Sequence, residues 1–164
     1  MPARVSAGLV IYRLREERCE IFLGHPGGPL FAHKDDGHWT IPKGEIGAGE
    51  DLLVTALREF QEETGIAINP AGTFIPLGSI QQKGGKFVHA WAAKQDWDDS
   101  QPIHSNLFKM EWPLGSGRIQ EFPEVDRAQF FPFEEAKRKL KPTQVPLLDR
   151  LIAALGSAGA NGDA

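Results

Sequence analysis

Apolar and β-branched residues run almost unbroken through "VSAGLVIYR" (5–13) and "CEIFLGHP" (19–26), with the charged "LREER" between them. This pattern predicts two strands joined by a turn. The glycines, prolines and paired aspartates of "GGPLFAHKDDGHWTIPKGE" (27–45) then break any period, predicting a long loop; loops of that length are often functional. From Asp51 to Thr64 the period changes to that of a helix: Leu53, Leu57 and Phe60 share one side, and Gly65 stands where a C-terminal cap belongs. Downstream, "TFIPLGSIQQ" and "KFVHAWAAKQDW" flank Lys83-Gly84-Gly85-Lys86, a hairpin pattern in which the glycines supply positive φ. Further strands are expected in "SNLFKMEWP" and "AQFFPF", separated by the loop "LGSGRIQEFPEVDR", and helices over Glu134–Leu140 and Val145–Leu155, ended by Pro142 and Gly156. The order of elements predicts an α/β or α+β layer fold, a mixed sheet with helices packed on it. One domain over residues 3–155 is expected, followed by a mobile tail, 156–164, with no internal repeat and no interdomain linker.

Composition narrows the class. A chain of 164 residues, 41% hydrophobic and 24% charged, can bury one ordinary core. Its net charge of -4 argues against a surface that holds a long nucleic acid by neutralising phosphates, and favours a small substrate. The lone Cys19 offers neither a disulfide nor a metal-binding pair, so a reducing, cytoplasmic setting is expected, with Cys19 a small strand residue. No stretch has the length of a membrane span, and 7–12 is too short for a secretory core, so a soluble protein is expected. Oligomeric state is left open.

The chemistry gathers on the predicted helix. Opposite its apolar side, Glu59, Glu62 and Glu63 fall within roughly 100° of arc at about 100° per residue. Like charges at i,i+4 repel, so helix propensity does not account for Glu59 and Glu63. Three glutamates on one face can be a solvated surface, but they are also the hard oxygen ligands of Mg²⁺ or Mn²⁺, cations that bridge to substrate phosphates.

The context decides between these. Gly44, five residues, Glu50, seven residues, then Arg58-Glu59-Phe60-Gln61-Glu62-Glu63-Thr64-Gly65-Ile66 resembles the signature of the Nudix hydrolases, with all nine defined positions filled over 23 residues. The resemblance implies a Nudix fold, a mixed sheet between helices. It implies that Glu59, Glu62 and Glu63 hold the divalent metal, that the carbonyl of Gly44 can join them, and that Glu59 often serves as base. Arg58 and Glu50, with Gly65, then fall to structural roles within the motif, Arg58 pairing with the glutamates. The expected reaction is metal-dependent hydrolysis of a pyrophosphate bond by water, with no covalent intermediate. There is no nucleophile elbow, and His25, His33, His38, His89 and His104 form no metal-spaced pair and read as surface or packing residues.

Many relatives recruit a further carboxylate from a distant loop. "IQEFPEVDR" offers Glu121, Glu124 and Asp126, of which Glu124 is favoured as catalytic. Lys43, directly before the signature glycine, is the best phosphate ligand, ahead of Lys83, Lys86 and Arg118, which read as solvated turn residues. "HWTIPKGEIGAGED" is similar to the same stretch of asymmetric diadenosine tetraphosphate hydrolases, which implies a dinucleoside polyphosphate substrate and makes Trp39 a substrate-binding candidate. For an adenine clamp, Trp39, Phe87, Trp91 and Trp112 are available, though the insertion-like "SNLFKMEWPLGSGRIQEFPEVD" departs from that group. The alternatives are a nucleotide-sugar or ADP-ribose pyrophosphatase, a nucleoside triphosphate pyrophosphatase, an inositol pyrophosphate phosphohydrolase, or a Nudix-fold ligand-sensing domain.

Overall fold

The computed structural model describes residues 4–162, with side chains to residue 156. In chain order the elements are β1 (Val5–Arg15), β2 (Arg18–Pro26), β3 (Lys43–Glu45), α1 (Leu52–Thr64), β4 (Ile75–Gln81), β5 (Phe87–Lys94), β6 (Leu107–Glu111), β7 (Ile119–Pro123), β8 (Val125–Pro132), α2 (Phe133–Lys139) and α3 (Val145–Gly162). The main sheet runs β4-β5-β1-β2-β8, with β3 added to the end of β1. It is mixed because β1 pairs in parallel with β5 and antiparallel with β2 and β3.

Both faces of this sheet are covered, which explains the unbroken apolar run of β1. Ala7, Leu9 and Ile11 point toward α1 and pack with Phe22, Ala56, Phe60 and Phe130. Val10 and Tyr12, on the alternate positions, pack on the other side with Ala136 and Leu140 around α2 and Leu147, Leu148 and Leu151 of α3. The expected α/β layering, a sheet sandwiched between helices, is what the chain forms.

Local chemistry sets the bounds of α1. The Asp51 carboxylate accepts from the Val54 backbone N–H at 2.8 Å as N-cap, and Gly65 at φ 77° closes the C-terminus with its N–H on the Gln61 carbonyl at 2.7 Å. Phe60 is fully buried against Phe22, ring centroids 5.3 Å apart, whereas Leu53 and Leu57 are only partly buried. Truncating Phe60 to alanine would therefore cost about 3–5 kcal/mol.

Two sequence expectations are corrected. The stretch 114–127 is not a plain loop: it contains β7, which pairs with β6 as a separate two-stranded sheet closed by Gly115 and Gly117 at positive φ. Its residues are half-buried or exposed on both sides, so no apolar alternation marked it. Gly156 does not end the last helix either. It lacks the left-handed φ of a cap, and α3 continues to Gly162. Of the tail expected over 156–164, residues 163–164 and the side chains beyond 156 lie outside the described residues.

Candidate active site

Close approach of three backbone segments builds the site. β3 lies against β1 with Lys43 opposite Gly8 and Gly44 opposite Ala7, and a Cβ on Gly8 would stand 2.8 Å from both Pro42 O and the Lys43 Cβ. α1 crosses the same region, and the Glu59 carboxylate rests where a Cβ on Gly44 would be. Glycine at position 44 thus makes room for the first of the three glutamates.

Arg58 organises the rest. It grips Glu50 with two donors, Nε to Oε2 at 2.7 Å and Nη2 to Oε1 at 2.9 Å, and its Nη1 reaches Glu59 Oε1 at 2.9 Å and Glu62 Oε1 and Oε2 at 3.1 Å. Glu50 also accepts from the Gly47 N–H at 2.9 Å and the Thr55 hydroxyl at 3.0 Å, tying the loop before α1 to its first turn. These bonds, Arg58 foremost, hold the Glu50 carboxyl down at about 2. Glu50 and Arg58 thus form a two-bond ion pair that joins the loop before α1 to the helix.

The remaining carboxylates are less settled electrostatically. Burial pushes Glu63 up to about 8, with the charges of Glu59 and then Glu124 adding to the effect and Lys43 opposing it. Glu59 is also raised, chiefly by burial, against the pull of Arg58. Among the described residues the acids do not close on one point as a ready-made three-ligand cluster, because Arg58 holds Glu59 and Glu62. The donor set is nevertheless all oxygen, and its desolvated, mutually repelling carboxylates fit a hard divalent cation.

Of the three distal acids only Glu124 meets this group. It is the single residue between β7 and β8, and its N–H donates to the Asn106 carbonyl at 2.9 Å. The Asn106 N–H in turn donates to the Glu62 carbonyl at 2.8 Å, and the Glu124 carbonyl accepts from Gly27 at 3.0 Å. Burial raises the Glu124 carboxyl, and the charge of Lys43 lowers it. Asp126 is instead bound to the buried His25, Oδ1 to Nδ1 at 2.9 Å, and Glu121 lies on exposed β7 opposite Lys109.

Trp39 is not placed to bind a substrate. Its side chain is buried, edge-on to His25 and Phe131 at 5.1 and 4.8 Å, and its Nε1–H donates to Asp35 Oδ1 at 2.8 Å. The hydrophobic drive to bury an indole in the core under α2 outweighs its position in a loop. His25 is likewise a packing residue, its Nε2 on the Lys34 carbonyl at 2.7 Å.

Beside the carboxylates lies a cavity of about 480 Å³ lined by Gly37, His38, Lys43, Gln82, Lys83, Lys86, Lys141, Pro142 and Thr143. Burial lowers Lys43 first, the ammoniums of Lys141 and Lys86 lower it further, and Glu63 and Glu59 raise it. Lys43 is the hinge between the acidic and basic halves. Lys83 and Lys86, read from sequence as solvated turn residues, and His38, read as a surface or packing residue, line this cavity together with Lys141, which no sequence signal marks. Gln144, fully buried, joins the walls: its Oε1 accepts from Ile41 N–H at 3.0 Å and its Nε2 donates to Gln82 Oε1 at 2.9 Å.

Residues 2–151 match the family model of the NUDIX domain. The chain belongs to the Nudix family of pyrophosphohydrolases. This Nudix chain is 42% identical over 120 residues to the rat asymmetrical bis(5'-nucleosyl)-tetraphosphatase, covering 68% of this chain and 75% of that protein. It is 30% identical to an 8-oxo-(d)GTP phosphatase of Mycolicibacterium smegmatis over 94% of this chain, which amounts to 46% of that longer relative. Among solved structures, a C. elegans Ap4A hydrolase binary complex superposes with a TM-score of 0.66 at 25% identity, over 94% of this chain and 99% of that one. The NUDIX domain of Shewanella oneidensis NrtR, complexed with ADP ribose, reaches the same TM-score at 14% identity, covering 94% of this chain and 90% of that one, and shares the fold alone.

Proposed function

We propose that this Nudix hydrolase cleaves a nucleoside diphosphate linked to another group, most specifically a dinucleoside polyphosphate such as diadenosine tetraphosphate. The observation that carries this reading is the lysine-lined cavity that opens beside the acidic helix face, with Lys43 facing both. A bridge of several phosphates is the ligand that matches it: anionic throughout, and long enough to lie across both halves. The similarity to the rat tetraphosphatase supports it.

Glu59, Glu62 and Glu63, with the Gly44 carbonyl, are the residues that would hold a divalent cation, Mg²⁺ or Mn²⁺. Such a cation would supply charge neutralisation on the phosphates and a lowered pKa for water. Lys43 binds a bridging phosphate oxygen as a point charge. Arg58 braces Glu59 and Glu62. Glu124 faces the site free of any Arg58 contact, and accepts the proton of the attacking water at a carboxylate oxygen. A small nucleotide substrate suits a cytoplasmic enzyme.

Product analysis in ¹⁸O-labelled water tests this reading. ATP and AMP from diadenosine tetraphosphate, with label on one of them, support asymmetric cleavage. Failure on that substrate with rapid turnover of ADP-ribose, a nucleoside triphosphate or an inositol pyrophosphate rejects it.

A further inference from the structure

The segment that delivers Lys43 and Gly44 to the site changes its strand partner on the way. Thr40 exchanges hydrogen bonds with Gly24 of β2, at 3.0 and 2.9 Å. The Pro42 carbonyl already accepts from Leu9 of β1 at 3.3 Å, and residues 43–45 continue along β1 as β3. The chain therefore crosses from one strand to the other at Ile41. Ile41 is fully buried, and its N–H donates to the Gln144 side chain, Oε1 at 3.0 Å, in place of a strand carbonyl. A side-chain oxygen is what the crossing calls for, because an amide left unpaired at that depth is strongly destabilising.

Gln144 is itself fixed. It lies fully buried in the turn Pro142–Gln144, 103 residues along the chain from Ile41, and its N–H donates to the Lys141 carbonyl at 2.9 Å. Its Nε2 donates to Thr40 Oγ1 and to Gln82 Oε1, each at 2.9 Å, so both amide hydrogens and the amide oxygen have partners. The stretch beyond Ile41 is short and stiff: Pro42 has a fixed φ, and Lys43 and Gly44 follow directly. Their backbone is the surface on which two of the three glutamates rest. The Glu59 carboxylate lies where a Cβ on Gly44 would be, and the Lys43 N–H is one of the groups that steady the ionised Glu63 carboxyl.

We propose that Gln144 is a positioning residue for the hydrolysis: by holding Ile41 at the strand crossing it sets, through Pro42, the Lys43 backbone and the Gly44 carbonyl against Glu63 and Glu59. An amide in the α2–α3 connection thereby acts on the carboxylates of α1 without touching the substrate. The inference rests on the metal-holding role proposed for those glutamates, and it does not depend on which pyrophosphate compound is cleaved.

Calorimetric titration of the full chain with Mn²⁺, without substrate, tests it beside turnover of diadenosine tetraphosphate. Gln144→Met keeps the length of the side chain and removes its hydrogen bonds; it should weaken Mn²⁺ about tenfold and lower kcat by a similar factor, as the loss of a group behind a metal ligand does. Gln144→Glu keeps an oxygen for the Ile41 N–H and should recover most of both losses. Arg150→Met is the control for lost stability alone. It removes the bonds from Nη1 to the Leu77 and Ser79 carbonyls, 2.8 and 2.9 Å, by which α3 holds β4, and it should lower Tm while leaving Mn²⁺ affinity and kcat at wild-type values. Equal weakening of Mn²⁺ in Arg150→Met and Gln144→Met overturns the proposal, as does a Gln144→Met that melts lower yet binds Mn²⁺ and turns over like wild type.

Hydrogen exchange of the wild-type chain decides the matter if Gln144→Met does not fold. Coupling between two sites is reciprocal, so Mg²⁺ should slow exchange of the Ile41 amide more than that of Ile21 in the main sheet. Equal slowing of the two amides overturns the proposal. Weakened Mn²⁺ binding by Gln144→Met in a protein that leaves diadenosine tetraphosphate intact keeps this inference and rejects the substrate reading. Cleavage of diadenosine tetraphosphate with unchanged metal affinity and kcat in Gln144→Met does the reverse.

Discussion

The carboxylate of Glu59 occupies the space that a Cβ on Gly44 would fill. A backbone strand and a helix side chain therefore share one position, and the glutamate is held beside β3 by the lack of a methyl group. Gly44→Ala should displace Glu59 and lower kcat by about 10², the cost of misplacing a reacting group by an ångström. Circular dichroism should show an intact fold. A variant that turns over at the wild-type rate would mean that Glu59 has no need of its place.

Glu62→Gln and Glu63→Gln keep the side-chain size and remove a charged oxygen ligand. Each should lower kcat by about 10² or more while the fold survives. Excess EDTA should abolish wild-type turnover, and Mg²⁺ or Mn²⁺ should restore it. Full activity in EDTA rejects the assignment of these glutamates.

Glu124 and Glu121 separate the catalytic carboxylate from its neighbour in sequence. Glu124→Gln should lower kcat by about 10²–10³ and leave KM nearly unchanged, as loss of a proton acceptor does. Glu121→Gln should have no effect on either constant. If the two variants behave alike, the hydrogen-bond chain from Glu62 through Asn106 does not place a catalytic group.

Glu63 and Glu50, two of the perturbed carboxyls, give stability a pH dependence of opposite sign in EDTA. Folding raises Glu63 from its ordinary 4.5 to about 8, so the folded protein keeps a proton that the unfolded chain releases. Its contribution is complete below pH 4.5 and is lost as pH rises through about 8. Glu50 has the opposite sign: lowered to about 2, it contributes above its ordinary 4.5 and loses that contribution as pH falls toward 2. Melts from pH 5 to 9 should show a falling Tm that Glu63→Gln flattens, and Mg²⁺ should recover Tm at pH 8 by binding the folded state. An unchanged slope in Glu63→Gln would show that this carboxyl is not the group responsible.

The features legible along the chain are those that short-range physics encodes. The 3.6-residue period, the Gly65 cap and the spacing from Gly44 to Ile66 act within a few turns of chain, so α1, its acidic face and the Nudix resemblance are all legible in the sequence. The strands β1 and β2 were equally plain, because burial on both faces leaves a continuous apolar run. Pairing, by contrast, decided β7, whose exposed Ile119-Gln120-Glu121 is a strand only because β6 lies beside it. Packing decided Trp39, since a loop indole and a core indole are written with the same letter. Tertiary structure shows which partners Glu124, Glu121 and Asp126 have, where the sequence only favours Glu124, and assembles Lys43, Lys83, Lys86 and Lys141 around one cavity. Those lysines are scattered from residue 43 to residue 141. They converge because β1 takes β3 on one flank and β5 in parallel on the other, while Gln144 draws the α2–α3 connection against both. Long-range strand pairing and the burial of a polar side chain set those distances, and neither leaves a periodic trace along the chain.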